Sequence, residues 1–255
     1  MNSENNSKDK RQKRRKKSNL FYDFVKITGA IPAWIILRPK IYYPYEKPKM
    51  KGAVLISSNH VSLLDPMIIP CTFPTRRLNS LASKELFKPG LLDAFFRGVH
   101  CIKVDRERFS PQTLRDVIDC LKNEEVVVVF PEGKVNEEKS GELLGFKRGA
   151  VYMANRGGAP VLPMYIVKRE KWYQRQKIVV GEKLDLSPML GARPDNDAMD
   201  KACVYLREKE LELKRYYEEI AQKKKGKKSK NGMEDTKNAL AQIKQGMSVG
   251  ILIGP

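Results

Sequence analysis

Val126-Val127-Val128-Val129-Phe130 is apolar at every position and is closed at once by Pro131-Glu132-Gly133. A strand with one wet face alternates apolar and polar residues. A run with no alternation needs both faces covered, as in an inner strand of a parallel sheet that carries helices on either side. The segments around it repeat that logic. Ala53–Ser57, Arg77–Ala82, Val99–Val104, Val161–Val167 and Ile178–Val180 read as further strands. Between them, Pro66–Cys71, Lys84–Arg97, Pro111–Lys122 and Phe146–Asn155 have helical length and spacing. Strands alternating with helices predict an α/β fold with a mostly parallel central sheet flanked by helices.

Two elements frame this core. An apolar hairpin of helices is expected from Leu20, built on Leu20-Phe21-Tyr22-Asp23-Phe24-Val25 and, past the Pro32 break, Trp34-Ile35-Ile36-Leu37. After Pro194, apolar Met199, Ala202, Leu206, Leu213, Tyr217 and Ile220 recur at steps of three, four or seven, the stripe of a C-terminal amphipathic helix. The Lys223–Lys230 run, with Gly226 and Gly232, is expected to end it. The organisation is thus a disordered basic arm over 1–19, a membrane-interface hairpin over 20–48, a folded domain over 49–222 and a basic, largely disordered tail over 223–255. The hairpin can equally cap the protein's own core, since interfacial and core helices share this length and composition.

The 255 residues include 49 Lys and Arg against 30 Asp and Glu, a formal net charge of +19. The excess sits at the ends: residues 1–19 and 223–255 each hold eight basic side chains against two acidic ones. Such termini favour anionic partners: a lipid surface, nucleic acid or an acidic protein. The longest uncharged N-terminal stretch, Ile27–Leu37, is well short of the ~20 residues that span a bilayer, and Arg38-Pro39-Lys40 follows it where a secretory signal would have a cleavage site. Four scattered cysteines and two histidines suggest neither a disulfide framework nor a metal site. A peripheral or monotopic protein on the cytoplasmic face of a membrane is the expected setting. Cys71, Cys101 and His100 are read as core filler.

Ser57-Ser58-Asn59-His60-Val61-Ser62-Leu63-Leu64-Asp65-Pro66 follows the first strong strand. On one helix, residues five apart point about 140° from each other, so His60 and Asp65 can meet only across a bend. Asp65-Pro66 supplies one: Asp is a preferred N-cap and Pro suits the first helical position, so a helix is expected to start at Pro66 with His60 in the loop before it. A carboxylate on Nδ1 of a His leaves Nε2 bare to accept a proton, two-thirds of a catalytic triad. No Gly-x-Ser-x-Gly elbow marks an enzyme nucleophile, so the reacting hydroxyl is assigned to a substrate. Pro131-Glu132-Gly133-Lys134 lies just past a strand end, where open α/β sheets bind ligands. Lys147 and Arg148, at an expected helix start, hint at a bound anion.

In order, Asn59-His60-x4-Asp65, Gly98–Arg106, Phe130-Pro131-Glu132-Gly133 and Val161-Leu162-Pro163 resemble the blocks of the lysophospholipid acyltransferase family, the glycerophosphate and 1-acylglycerol-3-phosphate acyltransferases. The resemblance covers about residues 53–185, within the domain over 49–222. It implies a general-base role for His60 and an orienting role for Asp65, in direct transfer from an acyl thioester to the free hydroxyl of 1-acylglycerol 3-phosphate. Phosphatidic acid would be the product and phospholipid biosynthesis the setting. It also implies that Arg106 meets the acceptor phosphate and that Asn59, Glu132 and Gly133 belong to the substrate site, with Lys134, Lys147 and Arg148 as added cations. No cofactor is expected beyond acyl-CoA or acyl carrier protein as co-substrate. The family block usually continues Gly-Thr-Arg-Ser, whereas this chain has Gly133-Lys134-Val135-Asn136. That departure leaves another lysophospholipid, or a lyso-aminolipid, open as acceptor. A non-catalytic nucleic-acid-binding role is disfavoured by the absence of an aromatic RNA platform or a helix-turn-helix pattern.

Overall fold

The valine run forms the inner strand its composition requires, with all four valines buried. A computed structural model describes the backbone of residues 19–29, 32, 34–105, 110–136, 142–171, 173–191 and 193–250, with side chains through 224. The expected basic arm, but for its last residue, lies outside the described residues, as does Arg106. In chain order the elements are α1 (residues 19–29), a helical turn at 34–37, β1 (Lys40–Tyr42), β2 (Val54–Ser58), α2 (Asp65–Thr72), β3 (Leu78–Ser83), a 3-10 turn (Lys84–Leu86) and α3 (Leu91–Gly98). β4 (Cys101–Val104), α4 (Pro111–Lys122), β5 (Val126–Val129), α5 (Gly149–Gly157), β6 (Val161–Val167), β7 (Lys177–Val180), α6 (Ser187–Leu190) and α7 (Asn196–Gly250) follow.

The strands form one sheet in the order β1-β7-β6-β2-β5-β3-β4. All neighbours run parallel except β6 and β7. Successive side chains of an inner strand point to opposite faces, and both faces are filled. Leu55, Val127, Val129 and Val161 pack under α4, α5 and the start of α7, against Val117, Leu121, Val151, Met153, Ala202 and Leu206. Val54, Ile56, Val126, Val128, Leu162 and Met164 face the other way, against Ile68, Ile69 and Phe73 of α2 and its C-cap. β2 lies between β5 and β6, with Ser57 opposite Val129 and Ser58 opposite Met164. The segments leaving β2 and β5 therefore emerge side by side at the carboxyl edge of the sheet.

Several expectations shift. The helix expected over Lys84–Arg97 is split by Pro89-Gly90, where Gly90 takes φ 101°, a value that suits glycine. α5 begins at Gly149, because the Lys147 N–H is spent on the Pro131 carbonyl at 2.9 Å. α2 begins one residue before Pro66, with Leu64 as its cap and Asp65 in its first turn. α7 does not stop at the Lys223–Lys230 run; its backbone is helical to Gly250. Lys is a good helix former, and an interior glycine costs only about 1 kcal/mol, so two glycines do not terminate it. Contacts divide the chain into Met1–Lys214 and Arg215–Pro255, the second unit helical as far as Gly250.

The N-terminal apolar segment makes contacts with the core and also leaves apolar side chains exposed. Tyr22 is buried, its hydroxyl accepts the Leu78 N–H at 3.0 Å, and Asp23 pairs with Arg77 at 2.6 Å. Meanwhile Leu20, Phe24, Ile27, Trp34, Ile35 and Ile36 stay exposed. Among the described residues, no helix is long and apolar enough to cross a membrane.

Candidate active site

The loop that joins β2 to α2 is shaped by one carboxylate. Asp65 Oδ2 accepts hydrogen bonds from the backbone N–H groups of Val61 and Ser62 at 2.7 and 2.8 Å. The same oxygen lies 2.9 Å from Nδ1 of His60. Pro66 explains the path: it holds Asp65 at the helix start, and the side chain turns back over the loop. Nδ1 donates to the carboxylate, so Nε2 carries the lone pair, and among the described residues no group hydrogen-bonds to it. Asp65 is completely buried, and among the described residues its Oδ1 has no partner.

The segment after β5 forms the opposite wall. Phe130 stacks on the His60 ring, with centroids 4.1 Å apart and planes at 18°. That contact fixes the second rotational freedom of the imidazole, leaving its outer nitrogen with one direction. Glu132 Oε1 accepts the His60 N–H at 3.2 Å, while Oε2 takes the Leu144 N–H and the Asn136 side-chain amide, each at 3.2 Å. Burial pushes the Glu132 carboxyl above its usual range, and these N–H donors pull it partly back. Asn136 closes the ring, its N–H reaching the His60 carbonyl at 2.6 Å.

The expected substrate contacts separate into two groups. Asn59 is occupied: its amide donates to the Ile166 carbonyl at 2.9 Å and accepts the Ile166 N–H at 2.7 Å, stitching the loop to β6. Glu132 likewise accepts from the three donors above, so both side chains help to carry the loop. Arg148 is drawn to α7, where Asp200 takes it with both oxygens at 2.6 Å and Asn196 at 2.8 Å. A cation at a helix start finds its counter-charge there within the protein, so no bound anion is needed to explain it. Lys147 and Lys134 stay exposed, and no described residue pairs with them. Gly133 has φ 72°, and a Cβ there would sit 2.8 Å from Lys147 Nζ, so the lysine lies across the turn that follows the Phe130 wall. Phe130 and Asn136 are the site residues that spacing alone did not single out.

A family profile described as Acyltransferase matches residues 38–167. The chain belongs to the Acyltransferase family. The matched span includes both the His60 loop and the Phe130–Asn136 turn. This acyltransferase is 29% identical over 150 residues to the 1-acyl-sn-glycerol-3-phosphate acyltransferase of Bacillus subtilis (strain 168), covering 57% of this chain and 73% of that one. It is 28% identical over 159 residues to the human 1-acyl-sn-glycerol-3-phosphate acyltransferase beta, covering 58% of this chain and 56% of the relative. The crystal structure of the 1-acyl-sn-glycerophosphate acyltransferase PlsC from Thermotoga maritima has the same fold, with a TM-score of 0.55 and 22% identity over 81% of this chain and 83% of that one.

A separate cleft of about 530 Å³ opens at the other end of the strands, among Asp23, Lys26, Arg76, Arg77 and Glu124. Its cations are engaged: Arg76 donates to the Met50, Gly52 and Glu124 carbonyls, Lys26 to those of Phe73 and Arg76, and Arg77 to Asp23.

Proposed function

We propose that this acyltransferase moves a fatty acyl group from an acyl thioester to the free hydroxyl of 1-acylglycerol 3-phosphate, giving phosphatidic acid. The Nδ1–Oδ2 contact of 2.9 Å between His60 and Asp65 carries the proposal. Nε2 of His60 takes the hydroxyl proton as the acceptor oxygen bonds to the thioester carbonyl carbon. The carbon–sulfur bond then breaks and the thiol leaves with the proton. The thioester is already activated, so a base, positioning and charge stabilisation suffice, and no acyl-enzyme is needed. Asp65 holds the tautomer, Phe130 the ring plane and Asn136 the loop. Lys147, Lys134 and Arg106 supply the cationic side for the acceptor phosphate. Acyl-CoA and acyl carrier protein are both donors of the required class, and neither calls for a cofactor.

The names of the Bacillus and human relatives support this acceptor. Val135, at the position where the family block carries arginine, favours a second reading in which another lysophospholipid or lyso-aminolipid takes its place. We place the enzyme at the cytoplasmic face of a membrane, peripheral or monotopic, on the strength of its exposed apolar hairpin and basic ends.

Thiol release from acyl-CoA, with lysophosphatidic acid and competing lysolipids offered together in detergent, tests acceptor and mechanism in one assay. His60→Ala is expected to lower turnover about 10²- to 10⁴-fold, the range for loss of a general base. Undiminished transfer by that variant would refute the mechanism. Preference for a different lysolipid would select the second reading.

A further inference from the structure

The apolar stripe of α7 steps from Leu206 to Leu213, and the position between them that shares their face is Glu210. Its side chain is completely buried, and among the described residues Oε2 has no hydrogen-bond partner. Oε1 accepts the Ser57 hydroxyl at 2.7 Å, and the backbone N–H of Asn59 faces the same carboxyl. A leucine at 210 would extend the stripe and avoid burying a polar group, a burial that ordinarily costs stability. What leucine cannot do is accept from Ser57.

The contact gains meaning beside its neighbours. The N–H groups of His60, Val61 and Ser62 are successive and donate to carboxyl groups, Glu132, Asp65 and Asp65 in turn, and the Ser57 hydroxyl just before them donates to a third, Glu210. Asp65 belongs to the loop itself and Glu132 to the segment after β5, whereas Glu210 arrives from a helix, 153 residues beyond Ser57. One turn earlier on α7, Arg207 donates to the carbonyls of Leu143 at 2.7 Å and Leu144 at 3.3 Å, the segment whose N–H is held by Glu132. One face of α7 thus grips both walls of the site from beneath.

We propose that Glu210 is a positioning residue for His60, anchoring the end of β2, from which the catalytic loop leaves, to α7 through the Ser57 hydroxyl. This inference rests on the reading of His60 as the base. Complete burial and the nearby Glu132 carboxyl favour the neutral carboxyl, against the Ser57 donor, and glutamine is the isostere of that form.

The test compares Glu210→Leu, which keeps volume and removes the acceptor, with Glu210→Gln, which keeps the acceptor. Glu210→Leu is expected to lower kcat about 10- to 100-fold, as small displacements of reacting groups do, with KM little changed. Glu210→Gln retains most of kcat. Because the chain has only two histidines, ¹⁵N-histidine spectra report His60 directly beside His100 as an internal control. Glu210→Leu should shift or broaden the His60 resonances and leave those of His100 in place, while Glu210→Gln preserves both. If the leucine variant does not fold, Ser57→Ala removes the same tether and should move the His60 signals in the same sense. A folded Glu210→Leu or Ser57→Ala protein with unmoved His60 resonances overturns the proposal, whatever its turnover. Absence of acyl transfer by the unaltered protein would remove the general-base reading and leave the spectra to decide the anchor.

Discussion

A charged residue in an apolar stripe has a signature in pH. Burial, first among the causes, and the neighbouring Glu132 carboxyl raise Glu210 well above its ordinary value of 4.5, while the Ser57 hydroxyl and the Asn59 amide act in the opposite sense. Between that ordinary value and its raised value in the folded protein, Glu210 holds a proton that the unfolded chain releases. Its contribution to stability is therefore complete at acid pH and is lost as pH rises. Glutamine does not titrate. Urea denaturation should show the stability of Glu210→Gln relative to the unaltered protein rising from pH 4 to pH 8; a constant difference would mean the carboxyl is not protonated in the fold. His60 and Asp65 could be connected from sequence because Pro66 fixes where the chain must turn. Glu210 escaped that reading because periodicity registers apolar positions, and the seven-residue step from Leu206 to Leu213 passes over the polar residue between them. The partners of Asn59 and Arg148 were hidden for a related reason: a polar side chain near a site gives no sign in sequence of its partner on another element, here Ile166 and Asp200.

Elements were legible where hydrophobic pattern and punctuation agreed. Val161–Val167 and Pro111–Lys122 have the bounds read from sequence. In the second case Pro111 sits at the first helical position and Ser110 caps it by accepting the Thr113 N–H at 3.1 Å. β1 and α6 passed unread: three residues, Lys-Ile-Tyr, and four, Ser-Pro-Met-Leu, are too short to show a period. Their order comes from pairing with β7 and from packing on the core. The fit between α4 and α5 depends on Gly157, where a Cβ would meet the buried Leu121 side chain at 2.6 Å. Gly157→Ala is expected to destabilise the protein by about 1–3 kcal/mol through overpacking, leaving KM unaltered. Thermal or urea unfolding together with the transfer assay checks both halves.

For the whole molecule, the basic ends and the exposed hairpin predict partition onto anionic bilayers. Binding to phosphatidylglycerol-containing vesicles should fall as salt is raised, since each Lys or Arg near the surface contributes about 1 kcal/mol that ions screen. Replacing Phe24, Trp34 and Ile35 together with serine should weaken vesicle binding by more than about tenfold, because each apolar side chain withdrawn from water is worth about 1.5–3 kcal/mol. The same variant should keep its transfer rate in detergent; sedimentation with vesicles and the thiol assay separate the two. Charge at the termini was visible in composition, but composition could not say which apolar side chains point away from the core.

The hairpin is tied down at both ends. Tyr22 holds it to β3 through the Leu78 N–H, and the stretch from Leu37 to Lys40 is bound to β7 by the exchange of Gln176 N–H to Leu37 and Lys40 N–H to Gln176, at 2.8 and 2.7 Å. β1 and β3 are five strand spacings apart, about 24 Å. A flap hinged at one margin would swing and let the reactive nitrogen drift in height. With anchor points on opposite flanks, the exposed apolar side chains near Tyr22 and those near Leu37 are each referenced to the sheet that also carries the imidazole.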